Sequence, residues 1–131
     1  MGKVIEKVKL TNFVDPSKSV EIDAVIDSGA TMLALPQDII DRLALRKERE
    51  VRVRYADNHA DDKGIYGVVR VEIAGRSGAF EALAENVGAP ALVGQVVLEI
   101  LDLLIDAKGR KLIPNPESPE MPMMEILMRK P

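Results

Sequence analysis

The chain has 131 residues, 47% of them hydrophobic and 30% charged, and a net charge of −3; this is the size and composition of one globular domain rather than a disordered segment. Both charge signs are mixed along the chain without a basic stripe, so nucleic acid is not an expected partner. There is no apolar run near the roughly 20 residues that cross a bilayer, so no membrane partner is expected, and the absence of cysteine rules out disulfides and thiolate metal sites.

The opening, MGKVIEKVKL, is too charged for a signal peptide, and a cytoplasmic location is expected. KVIEKVKLTNFV reads as an extended segment. Val20, Ile22, Ala24 and Ile26 recur at period two and read as a strand. Asp15 to Lys18 between them form a turn, with Pro16 presetting its φ. Pro36 suits the first turn of a helix. Ile39, Ile40 and Leu43 then fall on one helical face, so a short helix is expected over Gln37 to Ala44 and those three residues in the core. Val51, Val53 and Tyr55 alternate with charge, as do Val69, Val71 and Ile73. The polar stretch from Ala56 to Gly64 is then the tip of a long hairpin. Gly75 to Gly78 reads as another turn, followed by the strand AFEALAE. Leu92 and Val93 run into Gly94, and Val97, Leu98 and Leu101 suit a second helix. A last hairpin joins Leu104 and Ile105 to Leu112 and Ile113 through Ala107 to Gly109. Two regions result: a domain over residues 1–114, and a Pro-rich tail over 115–131 with an apolar patch, Met121 to Met128, that is either a docking strand, perhaps on a second subunit, or flexible. The fold class is mainly β and barrel-like, with two short helices.

The chemistry concentrates in AVIDSGATMLALP, Ala24 to Pro36. A carboxylate in such apolar company is costly unless hydrogen bonds stabilise it. Gly29 has no side chain, so an N–H is free to point at the Asp27 carboxylate. Ser28 and Thr31 add hydroxyls that can bond to nearby groups.

Two apolar residues followed by Asp27-Ser28-Gly29-Ala30-Thr31 resemble the active-site loop of retropepsin-like aspartic proteases, most closely the small prokaryotic members. The similarity covers roughly Val20 to Pro114: a flap-like hairpin follows the loop, then Leu92-Val93-Gly94 at the spacing of one subunit, then a helix. The resemblance implies a closed β-barrel half-lobe acting as a homodimer, because the chain holds a single Asp-Ser-Gly and the chemistry needs two carboxylates. It implies an aspartic endopeptidase without cofactor or metal, acting on a peptide or protein substrate. By the same resemblance Asp27 is expected to be catalytic, with two copies so close sharing one proton. The resemblance assigns Ser28, Gly29, Ala30 and Thr31 to support of the loop, Ser28 through a hydroxyl bond across the dimer axis and Gly29 through its N–H to Asp27. Tyr55, Ala56, Asp57, Asn58, Ile65 and Tyr66 are expected at the flap and substrate, and Leu92, Val93 and Gly94 in the wall near the active site.

The chain departs from the retroviral pattern in two places. Gln95 and Val96 follow Gly94 where those proteases carry an Arg that ties the dimer, and the hairpin tip, ADNHADDKG, is acidic rather than Gly-rich. His59 with Asp57, Asp61 and Asp62 looks like a metal cluster, but Asp62 and Val68 break the calcium-loop template, and a solvated tip is the expected reading. Two further readings compete: a catalytically silent dimer of the same fold that binds peptides, and an inactive domain in which Asp27 only caps a turn.

Overall fold

A computed structural model describes residues 3–126. Alternation of buried Val4, Val8 and Leu10 with charged neighbours forms β1 (Val4–Asn12), which pairs antiparallel with β2 (Ser19–Ile26) from Val4↔Ile26 to Thr11↔Ser19. The expected turn joins them: the Lys18 N–H donates to the Asp15 carbonyl at 3.0 Å. β3 (Leu33–Pro36) leads into α1 (Gln37–Arg42). β4 (Arg46–Arg54) and β5 (Ala60–Ile73) form the long hairpin, and β6 (Arg76–Glu85) returns along β5. β7 (Leu92–Val93), α2 (Gln95–Leu101) and the hairpin of β8 (Leu103–Asp106) with β9 (Lys111–Pro114) follow.

Seven strands lie in the order β1-β2-β7-β3-β6-β5-β4, and a further pairing of β1 with β5 closes the first six into a ring. The fold is therefore mainly β with two short helices. The ring and both helices enclose an aliphatic core that includes Leu10, Leu33, Leu35, Ile40, Leu43, Val71, Val93 and Leu101. Burial of such a side chain contributes about 1.5–3 kcal/mol, and Ile39, Ile40 and Leu43 are all in this core as expected.

Three local expectations change. Leu33–Pro36 is a strand, buried throughout, between β7 and β6; a short apolar run carries no period to separate strand from helix entry. The helix ends at Arg42 rather than Ala44, because Ala44 takes a φ of 53°. The turn before β6 is Ala74-Gly75, with φ values of 51° and 79°, the paired left-handed residues of a tight hairpin. Gly78 lies inside β6 instead, where a Cβ would stand 3.0 Å from the Phe80 ring and 3.1 Å from Leu101.

Past Pro114 the chain runs over Asp102, at the end of α2. The Asp102 carboxylate accepts from the Asn115 side-chain amide at 3.1 Å, from the Ser118 hydroxyl, and from the Met123 N–H at 3.0 Å. Buried Arg76 donates to the carbonyls of Leu101 (3.0 Å), Asp102 (2.9 Å) and Ser118. The described part of the tail, 115–126, contains no strand, and Met121, Met123, Met124 and Ile126 are exposed. Leu127 and Met128, the end of the expected apolar patch, lie outside the described residues. Among the described residues no helix is long and apolar enough to cross a membrane.

Candidate active site

Asp27 follows the last residue of β2. Its backbone N–H donates to the Val93 carbonyl of β7 at 3.0 Å, so the loop starts from a backbone fixed on both sides. The chain then turns tightly: the Ala30 N–H donates to the Asp27 carbonyl at 3.1 Å, and the Gly29 N–H donates to the Asp27 carboxylate at 2.9 Å. The expected Gly29 bond is therefore present. Asp27 is half-buried, more open than its apolar flanks suggest.

The loop is tied to the start of α2. Gln95 and Val96 donate their N–H groups to the carbonyls of Ala30 (2.8 Å) and Thr31 (2.9 Å). Gly94 sits so close beneath that a Cβ there would stand 2.5 Å from the Met32 carbonyl oxygen and 2.7 Å from that of Ala30. Those are backbone atoms with no freedom to yield, so the loop's position requires glycine at this point. Thr31 acts through its carbonyl; its exposed hydroxyl makes no bond among the described residues.

The Asp27 loop and the β4–β5 hairpin line one cleft of about 550 Å³. Asp27, Gly29, Ala30 and Thr31 lie on the loop side. Val51 to Ala56 line it from the hairpin, and Met32, Ala34, Leu83 and Leu92 supply apolar walls. Both Glu85 and Tyr55 line it as well. The Tyr55 hydroxyl donates to both Glu85 carboxylate oxygens, at 2.9 and 3.0 Å, and the Lys63 ammonium is 3.2 Å from the same carboxylate. Burial, then the neighbouring Glu85, pushes the Tyr55 phenol above its ordinary range. For Lys63, burial works against the charge, but the Glu85 bond and charge outweigh it and the ammonium is raised.

Of the expected site residues, the structure brings Asp27, Gly29, Ala30, Thr31, Tyr55, Ala56 and Leu92 to this cleft. Val93 and Gly94 are buried behind it as supports. Ser28 is exposed and lines a separate recess with Gln95, Glu99, Leu104 and Ile105. Ile65 is fully buried, and Tyr66 lines another recess with Lys47 and Gly64. Asp57 and Asn58 are exposed at the hairpin tip: Asp57 pairs with His59, and Asn58 adopts the left-handed φ of 73° that the turn needs. His59 stacks on Tyr55 with ring centroids 4.6 Å apart. No group of three metal-ligating side chains forms among the described residues. Local pattern in the sequence does not point to Glu85, Arg52, Arg54 or Leu83 at the cleft. Glu85 ends a strand and meets Tyr55, 30 residues away along the chain, through a side-chain bond that only the tertiary fold creates. No family model matches the chain, and no curated protein matches it.

Proposed function

We propose that the chain is one subunit of a homodimeric aspartic endopeptidase of retropepsin-like type. The observation that carries this reading is a carboxylate, Asp27, held by the Gly29 N–H at 2.9 Å in a cleft that an overhanging hairpin also lines. One Asp27 per chain supplies half of the chemistry. A twofold axis beside the loop supplies the second carboxylate and places Ser28, exposed next to Asp27, at the subunit contact.

The paired carboxylates share one proton. The ionised Asp27 takes a proton from a water, whose oxygen attacks the peptide carbonyl carbon. The protonated Asp27 of the other subunit gives its proton to the carbonyl oxygen. The C–N bond then breaks as the first Asp27 passes the proton taken from water to the leaving nitrogen. The other Asp27 takes a proton from a hydroxyl of the tetrahedral diol, which becomes the carboxylic acid. The pair again holds one proton, and no covalent enzyme intermediate forms. The apolar walls, Met32, Leu83, Leu92, Val51 and Val53, suit an extended peptide with apolar side chains.

Incubation of wild type and Asp27→Asn with a peptide library across acidic to neutral pH tests this. Cleavage by wild type alone is expected, with a dimer in sedimentation. Equal cleavage by both proteins, or a monomer that cleaves, refutes the mechanism; binding without cleavage by either selects a peptide-binding module instead.

A further inference from the structure

The β4–β5 hairpin extends beyond the rest of the sheet. β5 pairs with β6 only from Ile65↔Leu83 onward, whereas β4 and β5 pair out to Arg54↔Ala60. Residues 50–64 therefore form a two-stranded ribbon, and isolated ribbons of this kind are marginally stable. Something must hold it over the cleft.

Side-chain bonds from the body reach the ribbon at two levels. Near its base, Arg49 donates to both Glu81 oxygens at 2.8 and 2.7 Å, on an exposed surface. Beyond it, the last residue of β6, Glu85, bonds to both arms of the ribbon, one contact near the tip and one near the base, where Lys63 faces Val51. It accepts from Tyr55, directly after β4, and pairs with Lys63 of β5. This second set is shielded: the Glu85 and Lys63 side chains are 17% and 11% exposed. The Tyr55 ring is stacked on His59, and the Tyr55 N–H donates to the His59 carbonyl at 2.9 Å. Arg52 nearby has a partner of its own, Asp62 at 3.0 Å, while Lys63 also makes longer contacts to Asp61 at 3.7 Å and to the Asn86 side-chain carbonyl at 3.4 Å.

We infer that Glu85 is a positioning residue: its carboxylate, gripping Tyr55 and Lys63 together, latches the overhanging hairpin in place and so sets how tightly an extended peptide is held in the cleft. The latch itself is a property of the fold, while its consequence for peptide binding rests on the peptidase reading above. The two halves are tested separately.

The first test is amide hydrogen exchange on the full chain, comparing wild type, Tyr55→Phe, Glu85→Gln, Glu85→Ala and the Tyr55→Phe/Glu85→Ala double variant. A hydrogen bond to a charged acceptor corresponds to about a tenfold change in an opening equilibrium. Tyr55→Phe removes only the hydroxyl and is expected to speed exchange across residues 53–63 about tenfold, with core strands unchanged. Glu85→Ala is expected to match or exceed it, and Glu85→Gln, which keeps an acceptor for Tyr55, to fall between wild type and Glu85→Ala. The double variant is expected to open no further than Glu85→Ala, since both changes break one unit. Unchanged exchange in the hairpin of Tyr55→Phe, or multiplicative effects in the double variant, overturns the latch. This outcome does not depend on catalysis. The second test is kinetic: with a peptide that wild type cleaves, Tyr55→Phe is expected to raise KM about tenfold and leave kcat within about twofold. An unaltered KM alongside faster hairpin exchange overturns the role in peptide binding, and a wild type that cleaves nothing overturns the peptidase reading while the exchange result still decides the latch.

Discussion

At the scale of single residues, two positions carry more structure than their chemistry suggests. Asn12 is buried and fully bonded. Its amide donates to the Leu43 and Ala44 carbonyls at 2.9 and 3.3 Å, and its carbonyl accepts from the Val14 and Asp15 N–H groups at 2.9 and 3.0 Å. It ties the first turn to the end of α1. Asn12→Ala strands those backbone groups, and a loss of about 2–3 kcal/mol is expected in urea denaturation. Gly94 is the second. Gly94→Ala drives a Cβ into the Ala30 and Met32 carbonyls, so a destabilisation of about 3 kcal/mol is expected, with lost peptide cleavage in whatever fraction stays folded. A melting curve and a cleavage assay on the same preparation check both effects. Asp27 and Gly29 stand out in the sequence because residue type, an acid among apolar residues with a glycine close after it, signals the need, whereas Gly94 stands out only through the resemblance that Leu92-Val93-Gly94 carries, and its close approach to the loop is seen in the structure. Glu85 does not stand out, since Tyr55 lies 30 residues away along the chain, and Asn12 shows only its local half, the turn at Val14 and Asp15, and not its bonds to Leu43 and Ala44.

At the scale of elements, the regular strands and the second helix follow from local pattern. Val20 to Ile26 alternate at period two and pair as β2, and Val97, Leu98 and Leu101 form the buried face of α2. The misplaced features are those that tertiary packing decides. Leu33–Pro36 becomes a strand because β6 and β7 lie on either side of it. The Ala74-Gly75 turn leaves Arg76 and Gly78 free to enter β6, where Arg76 reaches the end of α2. The segment after Pro114 is held on the body by Asp102, which no local pattern indicates. The Ser118 hydroxyl, then the Met123 N–H and the Asn115 amide, hold the Asp102 carboxyl below its ordinary range. A carboxyl lowered on folding contributes stability that is fully present above its unfolded pKa and is lost as pH falls through its folded one. The gap in stability between wild type and Asp102→Asn is therefore expected to be constant at neutral pH and to close as pH drops below the usual carboxylate range. Denaturant midpoints measured along a pH series check this; a gap independent of pH contradicts it. The exposed Arg49–Glu81 pair is a contrast, and Arg49→Ala is expected to cost about 1 kcal/mol or less in the same experiment.

At the scale of the whole molecule, the ring of strands holds Asp27 in a cleft, with a hairpin beside it. The exposed Ser28 and the neighbouring recess with Leu104 and Ile105 leave the loop accessible to a second copy. The proposed chemistry makes the active unit a pair of chains, each indispensable. The most direct measurement is cleavage activity after wild-type and Asp27→Asn subunits are unfolded together, mixed in varied ratio and refolded at constant total concentration. If both Asp27 carboxylates act at one site, only wild-type pairs cut, so activity follows the square of the wild-type fraction and an equal mixture retains about a quarter of the rate. A linear decline, with about half the rate left in the equal mixture, means that each chain acts alone and contradicts the shared site.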